Sequence, residues 1–241
     1  MTSVPCWGYR AFVGEGIELV SVNIGAREVI DVWPEKVIES GIRKRPIAGA
    51  TIDVGVLGLA GDQQADTRRI RGAQVHGGRG KAIYAYPSEH FDAWRTALGQ
   101  EFVPGAFGEN LTIAGRAEEA ACIGDVWRWG EARLQITEPR GPCYKLDIHR
   151  GDARTGKIMN ETGHTGWYLR VLGAGPAPTD GPIEVEVHHP ARVSVLDVHR
   201  TLRAGDAAAL QELLHLEPLG TDLKTMIRNR LGRRAAAQTR R

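Results

Sequence analysis

The sequence has few cysteines and no long apolar run. Its three cysteines, Cys6, Cys122 and Cys143, are far apart and include no Cys-x-x-Cys pair, which argues against a disulfide framework or a zinc knuckle. Scarce, unpaired cysteines fit a reducing cytoplasm. No stretch of about 18 apolar residues occurs, so no membrane span is expected. The N-terminus lacks the basic and then apolar pattern of a signal peptide.

The chain also lacks an excess of either charge. It carries 31 Lys and Arg against 29 Asp and Glu, a formal net charge of +2. This balance argues against nucleic acid as a partner, although arginines are frequent at 68–71 and 228–241. With 241 residues and 30 glycines, the chain is long enough for one large β domain, or for a main domain with a small appendage.

Hydrophobic periodicity predicts a mostly β protein with some helix. One helix over 87–98 is opened by Pro and Ser and ended by Gly99, and Phe91, Trp94 and Leu98 share its face. An irregular piece is expected before Ser40. Strands are predicted at 17–24, 50–56, 82–86, 126–129, 132–137, 167–172 and 183–187.

The pattern changes after Pro190. Three short amphipathic helices are predicted: one over 193–202, one capped by Asp206 and one capped by Thr221, followed by a frayed, basic tail from Gly232. Such short helices bury little surface alone, so they should pack together or on the β domain. We therefore predict a β domain over 1–190, with its core at about 40–190, and a helical extension over 191–241.

One thiol lies in a distinctive setting at residues 138–146. Two prolines and a glycine stop the preceding strand and stiffen a turn that places Cys143 between two cations, Arg140 and Lys145. Nearby positive charge lowers the pKa of a thiol, and the thiolate attacks electrophiles or binds soft metals. From these residues alone, a buried and inert cysteine is an equally good reading.

Other polar residues have two readings each. Arg43, Lys44 and Arg45 precede Pro46, which keeps them off a helix, and they form either an anion clamp or a solvated basic loop. His76, beside two glycines, is a site residue or a loop histidine. Asn110 could bind the edge of a heterocycle or satisfy loop backbone groups.

Six motifs in order carry a resemblance to a known family. They are GDQQAD at 61–66, VHGG at 75–78, KAIYAYP at 81–87, PGAFGENLT at 104–112, IGD at 123–125 and PRGPCYKL at 139–146. Together they resemble the MOSC domain, named for the molybdenum cofactor sulfurase C-terminal region, in its YiiM-like branch. The resemblance covers about 40–232 and includes that branch's C-terminal helical extension. It departs at 67–74, where Arg68, Arg69 and Arg71 lengthen the path to His76, and in the lead-in at 1–30.

The resemblance implies an antiparallel β-barrel that carries a molybdenum cofactor. Cys143 matches the family's thiolate ligand to molybdenum, and the pterin dithiolene supplies the other soft sulfurs. Arg140 and Asn110 would line the pterin or the open face of the metal, and His76 would be a further catalytic residue. The remaining expected cofactor contacts are Arg43, Lys44, Arg45 and Lys81, all toward the phosphate, and Asp62.

Two functions follow from the resemblance. The first is a cytoplasmic reductase of N-hydroxylated compounds such as N-hydroxylaminopurines; the second is a non-catalytic carrier that holds the cofactor, or sulfur, on Cys143. A reductase needs an electron source. An iron–sulfur cluster generally takes four cysteines, and no dinucleotide-binding glycine fingerprint has the required spacing. Electrons are therefore expected from a separate redox protein, and oligomerisation is left open.

Overall fold

The computed structural model describes residues 16–64 and 68–238. Its strands are β1 (Gly16–Ile24), β2 (Glu28–Trp33), β3 (Lys36–Ser40), β4 (Arg45–Pro46), β5 (Thr51–Gly55), β6 (Gly58–Leu59), β7 (Arg69–Ile70), β8 (Ala73–Gln74), β9 (Ile83–Pro87), β10 (Leu111–Ala114), β11 (Val126–Trp129), β12 (Ala132–Pro139), β13 (Trp167–Gly173), β14 (Gly175–Pro178) and β15 (Pro182–Val187). Its α-helices are α1 (Phe91–Leu98), α2 (Tyr144–Arg150), α3 (Thr155–Thr162), α4 (Val195–Ala204), α5 (Ala207–Leu213) and α6 (Thr221–Gln238).

Seven strands form a closed barrel. Their spatial order is β10, β9, β13, β12, β11, β15 and β1, and β1 pairs with β10 to close the ring. Closure removes the exposed edges that an open sheet would leave. Neighbouring strands are antiparallel except β9 and β10, which are parallel. Their connection includes α1 and is long enough for the crossover that a parallel pair requires. The predicted fold, mostly β with α, is confirmed.

The helices after Pro190 pack on this barrel. Trp127 and Trp167 are fully buried in the barrel core, with ring centroids 5.9 Å apart in an edge-to-face arrangement. Val195, Leu210 and Ile227, from the three C-terminal helices, belong to the same apolar cluster. Apolar area that a short helix cannot bury alone is thus buried against the strands.

Local signals placed several helix ends well, but α1 begins at Phe91 and not at the predicted Pro87, which is the last residue of β9. Gly99 adopts the left-handed conformation after α1, and Phe91, Trp94 and Leu98 are buried as predicted. Asp206 caps α5 by accepting a hydrogen bond from Ala209 N at 2.9 Å. The predicted 193–202 helix begins two residues later, because Ser194 forms a capping box with Asp197.

Three expectations need correction. Residues 28–40 form the hairpin β2–β3, although a bulge between Val29 and Asp31 breaks its alternation. No helix was predicted between residues 138 and 167, but the turn after β12 leads directly into α2, and α3 follows it. The tail predicted to fray from Gly232 is helical through Gln238, because strong helix formers fill it and Arg230 Nη1 donates to Leu202 O at 2.6 Å. No helix in the described part of the chain is long and apolar enough to span a membrane.

Candidate functional site

A polar cleft opens beside the start of α2. Its cavity volume is about 70 Å³, and it is partly open to solvent. Residues far apart in sequence meet here: they come from β9 and β13, from the chain before β10 and after β12, and from the segments after β3, β6 and β8. The lining residues are Ser40, Gly41, Ile42, Lys44, Gln63, Gln64, His76, Lys81, Tyr84, Phe107, Gly108, Asn110, Arg140, Cys143, Lys145 and Tyr168.

Cys143 lies at the N-cap of α2 with extended backbone angles. Its own carbonyl accepts a hydrogen bond from Leu146 N at 2.9 Å, which closes the first turn of the helix. Upstream, Arg140 N donates to Gly166 O at 3.2 Å, so the loop is also tied to the segment before β13. The half-buried thiol is therefore held at both ends of its loop.

The electrostatic surroundings of Cys143 favour the thiolate. Burial would raise the pKa of this thiol, but His76, Arg140 and the backbone N–H of Lys145 stabilise the negative form and bring the pKa down to about 6. The predicted pairing of Cys143 with Arg140 is thus present in the structure. His76, one of eight histidines in the sequence, lines the same cleft and is the foremost of the groups that lower this pKa.

The lowered pKa predicts that Cys143 is alkylated at lower pH than an ordinary thiol. In cofactor-free protein, its reaction with iodoacetamide should rise through a midpoint near pH 6, rather than near the usual thiol pKa of about 8.5. His76→Ala should move this midpoint upward, because it removes the imidazole that favours the thiolate. The measurement is peptide-resolved mass spectrometry across a pH series. A midpoint near 8.5 in the unaltered protein would contradict the electrostatic assignment.

Arg140 is a buried cation in the wall of the cleft. Only 5% of its surface is exposed, Nη1 lies 3.3 Å from Met159 Sδ, and its guanidinium lies 5.6 Å from the centre of the Tyr84 ring. Among the described residues no carboxylate forms an ion pair with it. Because an uncompensated buried charge is costly, Arg140 favours an anion nearby, whether the Cys143 thiolate or an anionic group in the cleft.

A second cationic wall is organised by Asp62. This carboxylate forms an ion pair with Lys44 and accepts hydrogen bonds from Gly25 N and Asn110 Nδ2, each at 2.9 Å. Burial lowers the pKa of Lys44, and Asp62 opposes that shift. The predicted residues Lys44, Asp62 and Asn110 are therefore brought together, with Asp62 as the support rather than the cleft lining.

Asn110 differs from its expected role. Its Oδ1 accepts from Tyr84 N at 3.1 Å, and its Nδ2 donates to Asn23 O at 3.2 Å as well as to Asp62. Both amide hydrogens are therefore used within the fold, so the side chain lines the cleft but does not offer a free donor to the edge of a heterocycle. The alternative reading, an asparagine that satisfies backbone groups, describes it better.

Lys81 forms the third cationic position. Its Nζ donates to Gln74 O at 3.1 Å and lies 3.4 Å from Glu138 Oε1. Burial would lower the pKa of Lys81, but Glu138, with Tyr168 and Asp222, raises it above its usual value. Burial also raises the pKa of Glu138. Lys81 therefore stays charged at the cleft wall.

Arg43 and Arg45 are outside the cleft. Arg43 Nη1 lies 3.4 Å from Glu28 Oε1, with both side chains well exposed. Arg45 is exposed in β4, which pairs with the end of β1. Alternation along extended chain turns the middle cation inward and its two neighbours outward. Of the three cations predicted to clamp an anion, Lys44 lines the cleft, whereas Arg43 and Arg45 do not.

Several lining residues were not among the predicted site residues. Tyr84 and Tyr168 come from the neighbouring strands β9 and β13, where the sequence reads simply as strand. Lys145 was noted only as a cation beside Cys143; its Nζ donates to Glu39 O at 2.9 Å and so joins α2 to β3. Gln63 and Gln64 lay within the GDQQAD motif, which was the one available signal.

The fold and cleft define a β-barrel protein with one activated thiol among buried cations. Within the described ranges, no group of three or more His, Cys, Asp or Glu side chains is placed to hold a metal ion. The model of the MOSC domain family matches residues 72–206, and the chain belongs to the MOSC family. Its domain is thus of the type named for the molybdenum cofactor sulfurase C-terminal region.

Sequence relatives agree with this assignment. The chain is 39% identical over 171 residues to the uncharacterized protein YflK of Bacillus subtilis, covering 71% of this chain and 74% of that protein. It is 38% identical over 168 residues to protein YiiM of Escherichia coli, covering 66% and 72%. A Gibberella moniliformis protein named Reductase is 34% identical over 151 residues, 61% of this chain but 26% of that longer protein.

Solved structures show the same architecture. YiiM from Geobacillus stearothermophilus superposes with a TM-score of 0.73 and 29% identity, covering 89% of this chain and 99% of that one. YiiM from Escherichia coli gives a TM-score of 0.67 with 25% identity, covering 89% and 90%. Because both matches cover most of each chain, the similarity includes both barrel and C-terminal helices.

Proposed function

We propose that this protein binds a molybdenum cofactor through Cys143 and reduces N-hydroxylated compounds at that metal. The observation that carries the proposal is a thiol with a pKa of about 6 in a cleft whose walls hold buried cations. A thiolate is the ligand type that soft metal centres take. The fungal relative named Reductase supports the class of reaction.

The donor set of the cleft fits such a cofactor. Cys143 offers one soft ligand, while Lys44 and Lys81 offer two charged groups suited to phosphate oxygens. Arg140 offers a third cation close to the thiolate. When bound, the cofactor supplies the two-electron chemistry, and the chain supplies binding and orientation.

The chain's own residues have definite tasks in this proposal. Reduction of an N-hydroxyl group to an amine and water consumes two electrons and two protons. Arg140 and His76 keep Cys143 in its ligand form, and Arg140 favours anionic species in the cleft. Lys81, held charged by Glu138, is a proton-bearing group at the cleft wall. Tyr84 and Tyr168 provide an aromatic wall for planar substrates.

The direct test is molybdenum analysis together with turnover. Protein made in a cofactor-competent host should contain molybdenum and convert a hydroxylaminopurine to the aminopurine when a strong electron donor is present. The same activated thiol is also suited to a persulfide, which favours sulfur or cofactor carriage as the second candidate. A labile persulfide without firmly bound molybdenum would select that function.

The adjacent residues Lys44, in the cleft, and Arg43, outside it, allow a matched test of cofactor loading. Lys44→Met should lower cofactor occupancy at limiting cofactor by roughly tenfold or more, because a charge-assisted contact to phosphate contributes about 1.5–3 kcal/mol. Removing Lys44 also leaves Asp62 uncompensated beside the cleft. Arg43→Met, one residue away and outside the cleft, should load normally. Molybdenum per chain is measured, with circular dichroism to verify folding; equal loading of both variants would reject a role for Lys44.

A further inference from the structure

One stripe of α6 holds the short hairpin β7–β8. Asp222 Oδ1 accepts a hydrogen bond from Gln74 N at 2.9 Å. One turn on, Thr225 packs at the position where Gly72 would carry a side chain, 3.6 Å from its Cγ2. A further turn on, Asn229 Nδ2 donates to Arg71 O at 2.9 Å. The spacing of three and then four residues places all three side chains on one helix face.

The last residue of this hairpin also touches the cleft wall. Gln74 O accepts from Lys81 Nζ at 3.1 Å, and Gln74 Nε2 donates to His76 O at 3.0 Å. The same side chain fills the space beside Gly78, where an added Cβ would lie 2.7 Å from Gln74 Oε1. Gln74 therefore connects α6, through its backbone N–H, to both Lys81 and His76.

The start of α6 is itself fixed against the barrel. Gly220 N donates to Thr137 O at 3.2 Å. A Cβ at Gly220 would lie only 1.9 Å from Glu138 Oε2, so a larger residue here would require this buried carboxylate to move. Thr137 and Glu138 belong to β12, so these contacts fix the first turn of α6, which contains Asp222, against the barrel.

We infer that Asp222 is a positioning residue for the cleft. Through Gln74, it holds in place the segment that presents His76 toward Cys143 and Lys81 toward the cleft. The C-terminal helical extension is thus part of the site's construction. The inference rests on the proposed function only in naming the molybdenum cofactor as the group whose binding depends on this arrangement; the arrangement itself is testable without it.

The first test uses cofactor-free protein. Asp222→Ala should speed hydrogen exchange in residues 74–81 by about tenfold, since it removes the acceptor for Gln74 N. Asp222→Asn keeps an acceptor oxygen at that position and should restore protection, although it weakens the ion pair with Arg69. Met226→Ala, on an exposed position of the same helix, is the matched control. Unchanged exchange in Asp222→Ala would overturn the inference.

The second test measures binding. At limiting cofactor, Asp222→Ala should hold about one tenth of the wild-type molybdenum and pterin, whereas Asp222→Asn and Met226→Ala should stay within twofold of wild type. Normal loading of Asp222→Ala, or equal loss in folded Asp222→Asn, would refute a positioning role. Wild-type protein without molybdenum, combined with the predicted exchange pattern, would instead reject the proposed function and leave the role of Asp222 supported.

Discussion

Cys143→Ser is expected to purify without molybdenum and to have no reductase activity. A serine hydroxyl has a pKa far above neutrality and is a hard oxygen donor, so it cannot replace a thiolate whose pKa is about 6. The substitution is nearly isosteric at a half-buried N-cap, and serine is itself a favourable N-cap residue. Folding should therefore be preserved while metal retention is lost.

The other cysteines serve as controls. Cys122 is buried, and burial together with Asp125 raises the pKa of its thiol, so it stays protonated and unreactive. Cys6 lies outside the described residues and serves as a third variant. Cys122→Ser and Cys6→Ser should both retain molybdenum and activity, measured by elemental analysis and substrate turnover. Normal molybdenum content in Cys143→Ser would show that the ligand assignment is wrong.

Local sequence signals predicted much of the fold. Barrel strands such as β12, with the two-residue turn at Gly130 that precedes it, have clear alternation and turn residues. The predicted cap at Asp206 is short-range chemistry that the sequence displays directly. Ser194 was placed inside the predicted 193–202 helix, although it is the N-cap of α4. The hairpin β2–β3 was missed because its bulge shifts the alternation, and α2 because prolines and a glycine precede it.

Site residues that share one sequence motif were predictable, whereas residues that only the fold brings together were not. Cys143 and Arg140 share one motif, so their pairing was visible. Whether Lys44 or Arg43 turns toward the cleft depends on strand register, which no local signal gives. Asn110 was assigned a cofactor contact. Its amide is already hydrogen-bonded to Tyr84, Asn23 and Asp62, and these partners are too distant in sequence to be foreseen. The contact between Gln74 and Asp222 spans 148 positions and has no local signature.

The second prediction with a large expected effect concerns the source of electrons for the reduction. NADH or NADPH alone is expected to leave a hydroxylaminopurine unchanged when mixed with the molybdenum-loaded protein. The sequence has no glycine fingerprint with the spacing of a dinucleotide-binding fold. The described chain forms a closed barrel with helices packed on it, unlike the open parallel sheet of such folds. Three cysteines, one of them assigned to the metal, are too few for a ligated iron–sulfur cluster of the usual kind.

We propose that a donor other than the described barrel, such as a separate redox protein, delivers electrons near the Cys143 face. Adding a flavin reductase system, or reduced viologen as a chemical donor, is expected to start turnover from a rate indistinguishable from background. Formation of the aminopurine is followed by chromatography, with Cys143→Ser as the control for metal-independent reduction. Steady nicotinamide oxidation coupled to product by the isolated chain would contradict this electron route. Failure with reduced viologen at full molybdenum loading would reject the reductase and favour the carrier, because a strong low-potential donor removes the need for a partner protein.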